Sequence, residues 1–382
     1  VMEGLQISIP HRMILIRTAL VFSLVISFLL SLNLWGGYRQ VPYTSLIGEN
    51  PLKAPYDLVG IGLVMCLLLA SLILNRGRLL IFLALLICVV LVLFDINRLQ
   101  PWFYVYAAML TVFLFYNGRV DDSNRFTAYF ILLQVILASV YFFCGLSQLN
   151  SRFMDSDFSD IISPVYVLVS DRQFLFLKKM AVLVPYVLMF TGLGLIISPI
   201  RYLAITVALA IHVLLLIFLF PSARHENYAL WFSNLVFMLM LILLFSGKTK
   251  QKYFSPTFLF QVPAFYLTML LFVILPFFNN SGRWPDFLSA NFKSGNSDTA
   301  ILFLSEKAAD QLPADIARFC KPENHFFSFD YKGWYLSELK AECFPDELVF
   351  NSIYQYLSAT GNAGVKEIEL RILPRQKLLL KP

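Results

Sequence analysis

Three short polar segments interrupt an otherwise apolar chain of 382 residues, and each carries side chains able to move protons or hold charge. "FDINRLQPWFY" brings Asp95, Asn97, Arg98, Gln100 and Trp102 together. "YFFCGLSQLN" ends on Gly145, Ser147, Gln148 and Asn150. "SARHENYALW" supplies Arg224, His225, Glu226 and Asn227. An acid such as Asp95 and an imidazole such as His225 are groups used in general acid–base catalysis. A fourth group stands apart. His212 lies in "ALAIHVLLLIFL", inside an apolar run, where a neutral imidazole needs a hydrogen-bond partner. It is either a packed, satisfied histidine or a proton-handling or ligand-binding group facing a cavity. The polar segments pose the same choice, between a site and ordinary loop residues, helix caps and interfacial anchors.

The elements that must position these groups are membrane-type helices. The chain is 58% hydrophobic and 14% charged, with 37 phenylalanines and 18 tyrosines, and its mean hydropathy is +0.70. A soluble domain runs nearer a quarter charged. Nine apolar runs, about 13–34, 58–74, 79–94, 101–116, 126–145, 180–197, 202–220, 229–245 and 258–278, predict an all-α polytopic bundle over residues 1–278. Loop Lys and Arg are densest on the side of Arg12, Arg17, Arg76, Arg78 and Arg201, which predicts a cytoplasmic N-terminus. All three polar segments then fall on the opposite side. The net charge of +6 has this topological origin, and no basic stripe or module for nucleic acid appears.

Composition changes after residue 278. "TAILFL" and "VKEIELRILP" read as strands, while "SEKAADQLPADIARFC" and "DELVFNSIYQYLSAT" read as helical, the first broken at Pro313. Residues 279–382 are therefore expected to form a small α+β extracytoplasmic domain. Cys66, Cys88 and Cys144 are apolar fillers of the spans. Cys320 and Cys343 fall in an oxidising compartment, where a disulfide between them is one outcome and two buried thiols the other. No cysteine or histidine spacing indicates a metal site.

The order "DINRLQPWFY", "YFFCGLSQLN", a span with His212 before "HENYALW", and "LSANFKSGNSDTAILFLSE" resembles the HTTM family, that of the vitamin K-dependent gamma-carboxylase and its bacterial relatives. The resemblance covers most of the chain and rests on the order of four weak motifs. It implies a helical membrane domain with an extracytoplasmic part, in a bacterial cytoplasmic membrane. It also implies a catalytic lysine at the position held here by Gln148. A desolvated lysine can act as a base, whereas an amide cannot accept a proton near neutral pH. His212 looks like a match to a family histidine. Gln148, His212, Arg98 and Trp102 are thus expected around a cavity for a quinone or lipid. The chain is expected to be a non-carboxylating accessory or scaffold subunit, contacting lipid and a membrane or periplasmic protein. The alternative is an active quinol-linked modifier of exported proteins, using His212, Asp95 or His225.

Overall fold

The computed structural model describes residues 8–48, 52–116, 123–220, 226–247, 256–291, 293–360 and 367–375. Most of them are helical. α1 (Ile9–Leu30) has Pro10 in its first turn, where a missing N–H costs nothing. A single turn, α2 (Leu32–Trp35), precedes the antiparallel pair α3 (Tyr56–Ile73) and α4 (Gly77–Phe94). α5 (Pro101–Phe115) follows a 3₁₀ turn at Ile96–Arg98, and α6 (Ser123–Ser147) is the longest helix. A π-helical turn at Phe153–Asp157, α7 (Phe158–Ile162) and α8 (Asp171–Lys179) then lead into α9 (Val184–Ile196). α10 (Arg201–Phe218) packs on α11 (Tyr228–Phe245). α12 (Pro263–Met269) passes through a π segment, Leu270–Ile274, into a 3₁₀ segment, Leu275–Ser281. Pro276 explains that irregularity, because it cannot donate to the turn before it. Tyr104 Oη donates to the Leu271 carbonyl within the π segment at 3.3 Å.

Seven helical segments are long and apolar enough to cross a membrane: Ile9–Leu30, Tyr56–Ile73, Gly77–Phe94, Phe126–Ser147, Ser198–Phe218, Tyr228–Phe245 and Pro263–Ser281. Two of the nine expected runs behave differently. α5 has 15 residues, about 22 Å of helix against a hydrocarbon core of about 30 Å. It contacts α1, α4, α6, α11 and α12, and Trp102, Val105, Tyr106, Met109 and Leu110 are buried. A helix enclosed by protein need not match the bilayer. The run at 180–197 divides, since Asp171–Val182 and Val184–Ile196 meet at a 49° bend and together make an eighth candidate.

α6 and α9 form the most extensive helix pair, and glycines set their approach. A Cβ at Gly145 would lie 2.4 Å from the Pro185 carbonyl, and one at Gly192 would lie 2.6 Å from the Phe142 nitrogen. At one end of the bundle, arginines cap helix C-termini. Arg12 donates to the Ser246 carbonyl after α11, Arg78 to Leu114 in α5 at 2.8 Å, and Arg201 to Leu195 in α9 at 2.9 Å.

The opposite end carries the C-terminal part. Its sheet has the order β2 (Cys320–Glu323), β3 (Phe326–Phe329), β1 (Thr299–Leu304), β4 (Ile368–Leu373), all antiparallel. β1 alternates, with Ala300, Leu302 and Leu304 buried, and pairs with β4 from Thr299↔Leu373 to Leu304↔Ile368. α13 (Glu306–Asp310) and α14 (Ala314–Ala317) flank Pro313 as expected, and α15 (Tyr331–Leu339) and α16 (Glu347–Thr360) complete the layer.

Candidate functional site

The junction between the bundle and the C-terminal layer concentrates the buried polar groups. The first cluster is ionic. Asp95 follows α4 and closes the 3₁₀ turn, accepting from the Asn97 amide nitrogen at 3.4 Å and from Asn97 Nδ2 at 3.0 Å. Arg39 meets Asp95 at 2.5 Å, and Arg98 meets Asp57 at 3.1 Å and Asp95 at 3.9 Å. Arg98 also donates to the carbonyls of Leu34 at 3.2 Å and Leu91 at 2.9 Å. Tyr43 donates to Asp57 at 3.2 Å, and the Arg39 guanidinium lies 3.8 Å from the centre of the Tyr43 ring. Asp57, Asp95, Asn97 and Arg98 are wholly buried. Burial pulls Arg98 below its ordinary arginine value, and the Asp95 and Asp57 carboxylates oppose that. Two arginines and two aspartates cancel, as a buried cluster requires. Asn97 then accepts from the Phe344 amide at 3.2 Å, and Gln100 donates to the Glu342 carbonyl at 2.9 Å. The cluster thereby ties the helix ends to the C-terminal layer.

The second cluster surrounds the end of α6. Ser147 Oγ lies 3.2 Å from Asn279 Oδ1 and accepts from Asn291 Nδ2 at 2.6 Å. Asn150 donates to the Ser294 carbonyl at 2.8 Å. Gly295 adopts φ +73°, and a Cβ there would lie 2.4 Å from Asn150 Oδ1. Asp286 accepts from Asn291 and Ser294, each at 2.7 Å. Gln148 sits within this knot but apart from its bonds. It is buried, its Nε2 lies 3.6 Å from Cys144 Sγ, and its Oε1 has no hydrogen-bond partner among the described residues. An unmet buried carbonyl costs about 1–3 kcal/mol.

His212 is fully engaged in the bundle. Its Nε2 lies 2.5 Å from Tyr141 Oη and its Nδ1 lies 2.9 Å from Asn234 Oδ1, with the Phe237 ring stacked at 5.8 Å. Asn234 is fixed in turn by the Leu230 carbonyl at 3.0 Å. Gln148, His212, Arg98 and Trp102 are the four residues expected around one cavity. Arg98 is consumed by the ion cluster, and Trp102 packs among Phe28, Trp35, Phe103 and Tyr106. None of the three described clefts is lined by Gln148 or His212. Among the described residues Gln148 Oε1 and Trp102 Nε1 have no hydrogen-bond partner, whereas the imidazole has both nitrogens engaged. His225 and Arg224 lie outside the described residues.

A cleft of about 120 Å³ opens at the junction, lined among others by Arg152, Asp157, Asp286, Lys332, Glu342 and Cys343. Burial raises the Asp286 carboxyl, against the Ser294 and Asn291 hydrogen bonds and Arg375. Burial also raises Asp157, against nearby Lys332. Both carboxyls line this one cleft, and burial raises the proton affinity of each. Asp57, Asp157 and Asp286 were not singled out by sequence reasoning. The acid-rich "MDSDFSD" and the lone acid of "PYDLVG" were the available signals.

Cys320 and Cys343 are free thiols, so the disulfide outcome is not the one observed. Cys320 begins edge strand β2, while Cys343 is buried beside Phe344 and points at that residue's carbonyl, 3.6 Å away. Burial pushes the Cys320 thiol up to about 11 and also raises Cys343, which disfavours the thiolate at both. No family model, curated protein or solved structure matches the chain.

Proposed function

We propose that the chain is a non-carboxylating, HTTM-like multi-pass protein of a bacterial cytoplasmic membrane. It serves as an accessory or scaffold subunit, with a cytoplasmic N-terminus and a periplasmic C-terminal domain held out to a membrane or periplasmic partner protein. The observation that carries this reading is Gln148, an amide at the position where the reaction needs an amine, with the Cys144 sulfur as its described contact. The candidate replacements for a lysine base support it. His212 has both ring nitrogens engaged, and Asp95 is paired with Arg39. Lipid is the bundle's surrounding partner.

Quinol oxidation in membranes containing the chain tests this reading. Wild type is expected to show no turnover above membranes lacking the chain, and His212→Ala is expected to change nothing. Wild-type turnover that vanishes in His212→Ala would overturn the scaffold reading. The cleft favours a second reading, a membrane enzyme acting on exported proteins, with Asp286 and Asp157 as its titrating groups. Turnover abolished by Asp286→Asn but not by His212→Ala would favour it.

A further inference from the structure

Residues Arg172, Leu175, Phe176 and Lys179 follow the i, i+3, i+4, i+7 spacing of one face of α8, and Val182 and Leu183 carry the exposed surface on through the 3₁₀ turn Met180–Val182 to the bend. All six are exposed, Leu175 by 59%, Phe176 by 62% and Leu183 by 54%. The other side of α8 packs on protein: Phe174, Leu177 and Met180 are half-buried and Ala181 is buried, with the Phe174 ring 5.1 Å from Tyr166. The helix is firmly started by a capping box between Ser170 and Gln173. Its outward stripe is therefore a built surface of large apolar side chains with two cations set into it.

The stripe does not end with α8. Beyond the 49° bend, Tyr186, Phe190 and Leu193 continue the exposed apolar surface along α9. α9 is the membrane-embedded arm of the bent eighth candidate, a placement that rests on the proposed multi-pass function, and there that surface meets lipid tails. The surface on α8 is its continuation at the end of the bundle that carries the C-terminal layer. Both charges in the stripe are positive, and the acid at the start of the helix, Asp171, accepts from Tyr166 Oη at 2.8 Å. Apolar side chains interleaved with Lys and Arg are what a helix lying in the headgroup layer requires. Anionic headgroups add an attraction of about 1 kcal/mol for each nearby Lys or Arg.

We propose that α8 is an interfacial helix that lies in the leaflet on the side of the C-terminal domain and binds anionic phospholipid through Arg172 and Lys179. The test uses the full chain in vesicles of phosphatidylethanolamine and phosphatidylglycerol. A photo-crosslinking phenylalanine analogue is placed in turn at Phe176, at Leu183 and, as the bilayer control, at Phe190. The expected result is lipid adducts at all three positions. The double variant Arg172→Gln/Lys179→Gln is expected to reduce the enrichment of phosphatidylglycerol in the Phe176 adducts by roughly thirtyfold, each cation being worth a factor of about five. Lipid adducts at Phe190 alone would overturn the interfacial helix while leaving the spanning α9 intact. Adducts of Phe176 to a second copy or another protein would overturn it as well. An unchanged phosphatidylglycerol enrichment would overturn the anionic component. No lipid adduct at Phe190 would overturn the membrane reading itself.

Discussion

Arg98 has no exposed surface, donates to three acceptors and lies 3.9 Å from a fourth, Asp95. Replacing it by methionine keeps much of the volume but leaves the Asp57 carboxylate without a cation, with the Tyr43 hydroxyl and the Leu58 amide as its neutral donors. Breaking a buried pair in this way costs about 3–5 kcal/mol. Arg98→Met is therefore expected to lower the thermal unfolding midpoint sharply, and adding Asp57→Asn is expected to recover part of the loss. Asp286 makes a separate prediction. Burial raises its carboxyl above the ordinary value of 3.8, so the folded chain holds that proton more tightly than the unfolded chain does. Its contribution to stability is complete below the ordinary carboxylate range and is lost as pH rises through the raised value. Asp286→Asn is expected to flatten the decline of the unfolding midpoint with pH across that window, and an unchanged slope would contradict the assignment. Asp95 and Arg98 were legible because "DINRLQ" is a polar run between two apolar ones. Asp57 was not, because one acid in the first turn of a helix is an ordinary partner of the helix dipole.

At the scale of elements, the close approach of α6 and α9 depends on Gly145 and Gly192. A valine at position 192 has no room against the Ala138 carbonyl and the Phe142 backbone, and overpacking costs about 1–3 kcal/mol or more. Gly192→Val is expected to lower the unfolding midpoint and broaden the size-exclusion peak, whereas Gly62→Val, with open space around its Cβ position, is expected to leave both unchanged. The two glycines of "TGLG" in α9 are a helix-packing signal in the sequence itself. The bend before α9 was not readable, because hydropathy runs evenly across Met180 and Val184 while the change from α8 is one of direction. The β2–β3 hairpin also escaped the sequence. Its four-residue strands are too short for a clear alternation, and its turn at Asn324 rests on a single left-handed residue. Strand β1 and helix α16 were visible because their periods of 2 and 3.6 persist over several residues.

For the whole molecule, the junction decides whether the C-terminal layer moves with the bundle or apart from it. Two kinds of tie cross it. Asn97 is wholly buried between Asp95 and the Phe344 amide, whereas Lys340 and Glu226 pair where both side chains remain partly exposed. A buried hydrogen-bond bridge is worth about 1–3 kcal/mol when one partner is removed, and an exposed ion pair about 0–1 kcal/mol. Asn97→Ala is expected to speed amide exchange around Phe344, while Lys340→Ala is expected to leave it near the wild-type rate. The three polar segments were expected on one face, and the described ones do meet at the C-terminal layer. Their residues turned out to be the fastening of that layer rather than the walls of a cavity, a distinction that depends on partners hundreds of positions away. In the proposed reading, a scaffold is distinguished from an enzyme by the amide of Gln148. The direct measurement is incorporation of labelled carbon dioxide into a glutamate-containing peptide by the purified chain, with reduced vitamin K and oxygen supplied. The account predicts no incorporation above a protein-free control. Incorporation by the wild-type chain that requires the reduced quinone would contradict it.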